Sequence, residues 1–171
     1  EKDFFDLSMR RYNISEDKHV FMKKGREYVR NEFKNNLAFM PGFHKLHELV
    51  TNHYSVGLVT ASPRHNLNFL QKLINLDELF EHIISGDETE KNKPHPEPYL
   101  SMMEKLCVKP ENVVIIEDSL HGIQAALRSG ASVIAKTGSI PKSELSIAHQ
   151  IITHLSEITH NMIEDLLRRD K

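Results

Sequence analysis

The sequence predicts an α/β protein whose core is a doubly wound, Rossmann-like parallel sheet. Two observations carry that class. Short apolar, β-branched runs (Val56-Gly-Leu-Val-Thr60, His82-Ile-Ile-Ser85, Val113-Val-Ile-Ile116 and Ser132-Val-Ile-Ala135) alternate with segments of helical periodicity. Strands separated by helices build parallel sheets covered on both faces. The second observation is the Pro41-Gly42 boundary, which divides this alternation from an N-terminal stretch, residues 1–40, of helical character throughout.

Each element follows from local pattern. Phe4, Phe5 and Leu7 begin one helix; Val20, Phe21, Tyr28, Val29 and Phe33 recur at helical spacing in a second, which ends at Asn35-Asn36. Pro41 stands near the start of a helix over Phe43 to Asn52, where its missing N–H costs nothing. The Val56 strand is followed by an amphipathic helix from Asn66 to Leu76, the His82 strand by a helix from Glu97 to Val108. Val113 to Ile116 reads as a strand buried on both faces, because the run is wholly apolar. Its helix ends at Gly130, a natural left-handed cap. The Ser132 strand, a short helix from Lys142 to Ala148, a strand Gln150-Ile-Ile152 and a helix from Ser156 to Arg169 complete the order.

Composition narrows the partners. With 171 residues, 39% of them hydrophobic, the chain has enough material for one sizeable core. A formal net charge of −2, with Lys and Arg scattered, gives no electrostatic case for a nucleic-acid or anionic-membrane partner. No apolar run approaches the roughly 18 residues of a membrane span. The single cysteine, Cys107, excludes a disulfide framework, fits a cytoplasmic location and reads as a small core residue. No Walker loop, Gly-x-Gly-x-x-Gly, Gly-x-Ser-x-Gly or His-Glu-x-x-His pattern is present.

Three groups fall at strand ends, where open α/β sheets bind ligands. Thr60-Ala61-Ser62 closes the Val56 strand. A small hydroxyl with free backbone N–H groups suits phosphate oxygens, and the same residues also suit an ordinary helix cap. Arg64, just beyond, reads both as a substrate contact and as an exposed helix residue. Lys93 lies in Lys91-Asn-Lys-Pro-His-Pro-Glu-Pro-Tyr99, a loop stiffened by three prolines. Glu117 and Asp118 end the Val113 strand and are followed by Ser119. Adjacent carboxylates repel unless they share a proton or a cation, and Mg²⁺ is the simplest candidate. In this order the three groups describe a site for a phosphate monoester.

These motifs resemble those of the haloacid dehalogenase-like hydrolase superfamily, in its phosphoglycolate phosphatase/β-phosphoglucomutase-like branch, from about Pro41 to the C-terminus. The resemblance implies that Thr60 binds the transferred phosphoryl group, with Lys93, in its Lys-Pro-x-Pro-Glu-x-Tyr context, as the motif lysine. In Glu117-Asp118-Ser119 with Gly122, it implies that Asp118 ligates Mg²⁺ directly and Glu117 directly or through water. Residues 41–171 then form the core and residues 1–40 part of a helical cap. The implied activity is Mg²⁺-dependent hydrolysis of a small phosphorylated metabolite, such as a sugar or polyol phosphate, through an aspartyl-phosphate.

The departure is the family's first motif, Asp-x-Asp-Gly-Thr on the first strand, which has no counterpart in the 171 residues. The resemblance puts that strand between the Val56 and Val113 strands. Three expectations follow: the strand lies outside this sequence, a second chain supplies it, or the two flanking strands close directly. As it stands the polypeptide should not turn substrate over. The alternatives are a phosphosugar mutase and a non-catalytic phosphate-binding or regulatory module. Dehalogenation, which needs no metal, fits the acid pair poorly.

Overall fold

The computed structural model describes residues 2–139 and 141–169, and it divides into two compact units, Glu1–Ala38 and Phe39–Lys171. Residues 1, 140, 170 and 171 of the expected segments lie outside the described residues, as does the side chain of Phe4.

The first unit is a helical pair, α1 (Lys2–Arg11) and α2 (Lys18–Asn36). Asp17 caps α2 by accepting from the N–H groups of His19 and Val20, at 2.9 and 3.2 Å. An N-cap carboxylate satisfies donors that the helix itself leaves orphaned. Phe5 meets Phe21 edge to face at 5.7 Å, and a β-carbon at Gly25 would run into the Phe5 ring. Lys18 pairs with Asp6 across the two helices. Arg26, Tyr28 and Arg30 all lie on the exposed face of α2.

The second unit carries five parallel strands in two ladders. β1 (Gly57–Val59) pairs with β2 (His82–Ile84), and β3 (Val114–Glu117), β4 (Ser132–Lys136) and β5 (Gln150–Ile152) pair in that order. The helices are α3 (Phe43–Thr51), α4 (Arg64–Leu70), α5 (Leu76–Leu79), α6 (Glu97–Lys105), α7 (Leu120–Arg128), α8 (Lys142–Leu145) and α9 (His160–Arg168). β4 divides two cores by its period of two. Val133 and Ala135 pack with Tyr99, Met103, Ile123 and Ala126 of α6 and α7, while Ile134 packs with Leu46 of α3 and Ile163 of α9. Each fully buried Ile or Val contributes on the order of 1.5–3 kcal/mol.

Several expectations are corrected. β1 and β3 do not close against each other: among the described residues each has a ladder partner on one side only. β3 packs on both faces, Ile115 in the first core and Val114 against the second, but near its carboxyl end it is open at Ile116. Ile115 is 8% exposed, but Ile116 is 40% exposed, although its ladder partner Ile134 is fully covered. The predicted Asn66–Leu76 helix is two pieces, because the Gln71 side chain accepts the Leu76 N–H at 2.8 Å and starts α5 afresh. α6 stops at Lys105. Cys107 takes the left-handed position (φ 54°), its N–H bonds to Glu104 O, and the Val108 N–H returns to Met103 O. That helix-ending motif turns Cys107 outward, so it is exposed and not a core residue. The C-terminal helix begins only at His160, after a 3₁₀ turn over Leu155–Glu157.

Candidate functional site

The carboxyl ends of β1 and β3 are joined by one side chain. Lys93 sits in the loop between β2 and α6, and that loop is fixed from both ends. The Glu97 carboxylate accepts the N–H groups of Glu90 and Lys91, at 2.7 and 3.2 Å, and Arg128 donates to Pro94 O at 2.8 Å. From this frame the Lys93 ammonium donates to Val59 O, the last residue of β1, at 3.3 Å and pairs with Glu117 at the end of β3. Both charged side chains are nearly buried, at 13% and 10% exposure.

Glu117 is saturated with donors. Its Oε1 accepts from Lys93 Nζ and from the Tyr99 hydroxyl at 2.6 Å. Its Oε2 accepts from the Asp118 and Ser119 N–H groups and the Ser119 hydroxyl, at 3.1–3.2 Å. Burial is the largest influence on this carboxyl and raises it. The Lys93 charge, with the hydrogen bonds from Lys93, Tyr99 and Ser119, outweighs burial and holds the group below its ordinary range. Tyr99 moves the other way: burial first, then the Glu117 charge, push its phenol far above the ordinary value. The Ser119 Oγ also accepts the Gly122 N–H at 3.0 Å and so caps α7. Gly122 is a glycine for a reason of space, since a β-carbon there would overlap the Glu117 carboxylate.

Asp118, the neighbouring acid, is half-exposed, and its Oδ2 accepts the Ser139 hydroxyl at 2.6 Å. Sequence reasoning missed Ser139. The signal was weak: a hydroxyl two residues past Thr137 in the loop after β4, the strand paired to β3.

The β1 loop is held from the other side. Thr60 donates its N–H to Ile84 O, and its Oγ1 accepts the Ser62 N–H at 3.1 Å, a local turn. Ser62 O accepts the Gly86 N–H at 2.9 Å, and a β-carbon at Gly86 would strike the Ala61 carbonyl. Arg64 faces the scaffold: its N–H meets Asp87, and its guanidinium reaches Ile83 O at 3.2 Å and pairs with Glu88. Ser85 donates to both acids, and its bond is the main influence lowering Asp87. At Glu88 burial raises the carboxyl and the bonds from Ser85 and Arg64 outweigh it, so both acids lie below their ordinary range. Thus Thr60, Lys93, Glu117 and Asp118 gather at one end of the two ladders, whereas Arg64 is engaged by the β2 loop.

Among the described residues no group of three or more His, Cys, Asp or Glu side chains is arranged to hold a metal. The donor set still suits Mg²⁺, which keeps several waters and takes one or two carboxylates plus phosphate oxygens. Asp118 has acceptor capacity to spare, while both Glu117 oxygens are already engaged.

Residues 5–136 match the family model described as haloacid dehalogenase-like hydrolase. The chain belongs to that family. A relative from Thermotoga maritima, named phosphorylated carbohydrates phosphatase, is 30% identical over 131 residues, covering 76% of this chain and 61% of the relative. The pyrophosphatase PpaX of Bacillus mycoides is 32% identical over 93 residues, 54% of this chain and 43% of its own. The chain thus spans less than two thirds of the length of either. Among solved structures, a HAD hydrolase, family IA, variant 3, from Entamoeba histolytica superposes with a TM-score of 0.79 at 26% identity, covering 95% of this chain and 78% of that one.

Proposed function

We propose that this chain carries the phosphate- and cation-binding part of a cytoplasmic, Mg²⁺-dependent phosphatase that acts on a small phosphorylated metabolite such as a sugar or polyol phosphate. The observation that carries the reading is Lys93, whose ammonium ties the end of β1, beside Thr60, to the end of β3, beside Asp118. Cation and phosphate ligands at strand ends are what in-line phosphoryl transfer needs, since its catalysis is mostly positioning and charge stabilisation. Relatives named for phosphatase and pyrophosphatase activity support the class, and no described helix is long and apolar enough to cross a membrane.

In this reading the Thr60 hydroxyl and the Ala61 N–H hold phosphoryl oxygens, while the Ser62 N–H, already given to Thr60 Oγ1, fixes that hydroxyl rather than binding substrate. Lys93 neutralises their charge. Asp118 holds Mg²⁺, kept in orientation by Ser139, and Glu117 contributes through water while anchoring Lys93. The bound cation would withdraw charge from the phosphoryl oxygens. Arg64, occupied by Glu88, serves the loop that presents Thr60 more than the substrate. The nucleophile that would form an aspartyl-phosphate is not among these 171 residues, which hold no Asp-x-Asp-Gly-Thr segment. A strand carrying it, from outside the sequence or from a second chain, would sit between β1 and β3, with residues 1–40 as part of a cap.

Calorimetric titration with orthophosphate and MgCl₂ tests the proposal. Both are expected to bind, with Asp118→Asn losing the cation and Lys93→Met losing phosphate. Absence of binding to the parent chain would refute the reading. Robust hydrolysis of a generic phosphate ester by this chain alone would refute the placement of the nucleophile elsewhere.

A further inference from the structure

One group around Lys93 has no part in the chemistry above: the phenol of Tyr99. This residue lies in the first turn of α6 and is 5% exposed. Its ring faces the Lys93 ammonium, with 4.8 Å from Nζ to the centroid. Its hydroxyl donates to Glu117 Oε1, the same oxygen that accepts from Lys93. Ammonium, carboxylate and aromatic ring therefore form a closed triangle, each touching the other two.

The triangle solves a problem of charge placement. A nearly buried ammonium beside one carboxylate is drawn wholly to it, and the attraction strengthens as water is excluded. Here the phenol takes up part of the Oε1 acceptor capacity, and the electron-rich ring face attracts the ammonium from a second direction. Lysine has three N–H donors; one meets Glu117 and one meets Val59 O, which leaves a third. A Phe at position 99 would fill the same core volume and preserve the ring contact, but it would leave Oε1 to Lys93 alone.

We propose that Tyr99 is a positioning residue for Lys93: its ring carries the ammonium and its hydroxyl shares the Glu117 oxygen, so that one lysine N–H stays available to a phosphoryl oxygen. The inference rests on the reading of Lys93 as a phosphate ligand.

The test uses the 171-residue chain with two variants, Tyr99→Phe and Tyr99→Leu, and two readouts. The first is the Lys93 ε-methylene proton resonance, assigned by its loss in Lys93→Arg. The ring current should move it upfield in the parent and in Tyr99→Phe, and it should return toward the free-lysine position in Tyr99→Leu. The second is affinity for orthophosphate set against affinity for MgCl₂. Tyr99→Phe should weaken phosphate roughly three- to tenfold, the effect of an ordinary hydrogen bond. Affinity for Mg²⁺, held directly by Asp118 and by Glu117 only through water, should fall less, by about twofold at most. A merely structural tyrosine would shift both affinities together or neither. Phosphate affinity unchanged in Tyr99→Phe overturns the proposal, as does a Lys93 resonance unmoved in Tyr99→Leu. If Tyr99→Leu does not fold, Tyr99→Phe decides alone. A parent chain that binds no phosphate overturns the functional reading instead, and the Lys93 resonance still decides whether Tyr99 places the ammonium.

Discussion

Two charged networks hold the strand ends of this molecule, and they differ chiefly in their access to water. At the β1–β2 end, Arg64 ties to Asp87 and Glu88 with its ion pair about one third exposed, at 36% and 40% for the two side chains. At the β3 end, Lys93 and Glu117 are 13% and 10% exposed and share their contacts with a buried tyrosine. Both connect loops distant in sequence. Water screens the first pair, so it orders a loop cheaply and contributes little. The second has lost most of its hydration, so each partner is costly without the other. A site that must hold a lysine for an incoming anion is better built the second way.

Removing one buried partner should therefore have the largest effect. Lys93→Met is expected to destabilise the second unit by about 3–5 kcal/mol in urea unfolding, because it leaves Glu117 charged and uncompensated. The pH dependence gives the same contrast. The Glu117 carboxyl is held below its ordinary value of 4.5. Its contribution is thus present above that value and lost as pH falls through the lower folded one. The acid-side loss of Tm should be shallower in Lys93→Met than in the parent. An equal slope in both would break the comparison.

Gly122→Ala comes next. The added methyl would push the Glu117 carboxylate off its donors, at about 1–3 kcal/mol for acceptors and donors left unmet. Loss of phosphate affinity greater than loss of stability would sharpen the assignment of Glu117 as the anchor of Lys93. Arg64→Ala should cost no more than about 1 kcal/mol, shrinking further in high salt, as exposed pairs do. A cost above that would show the two networks to be energetically alike.

The smallest effect is remote from both. Tyr54 donates to Glu164 at 2.8 Å and lies 3.1 Å from His160 Nδ1. Slight burial and the Glu164 carboxylate push its phenol up from 10.0 to about 12. A raised folded value means that the contribution is complete below pH 10 and disappears as pH rises to about 12. Tyrosinate absorbance should show a step at about pH 12, distinct from Tyr99, whose phenol is pushed higher still, that is lost in Tyr54→Phe with little change in stability near neutral pH.

Much of this architecture is legible locally. The β-branched runs that became β1 to β4 lie within a residue or two of their expected ends, because strand and helix periodicity are short-range properties. Two of the misreadings are local events that periodicity does not record. Gln71 restarted a helix at Leu76, and the left-handed turn at Cys107 faced a supposed core thiol to solvent. The apolar run ending in Ile116 was read as buried on both faces, and hydropathy did not reveal that Ile116 itself would stay 40% exposed while Val114 and Ile115 pack inward.

Glu117 and Asp118 show the same division most clearly. The sequence by itself determined that two acids stand at the carboxyl end of an apolar strand, that a proline-stiffened loop bears Lys93, and that the chain is α/β. Only the tertiary structure decided that the two acids are unlike. Glu117 is enclosed by Lys93 and Tyr99, and Asp118 is turned outward to Ser139. Those partners lie 18 to 24 positions away in the chain. The direction and burial of a carboxylate depend on groups brought near by folding, and no local pattern records which ones they are.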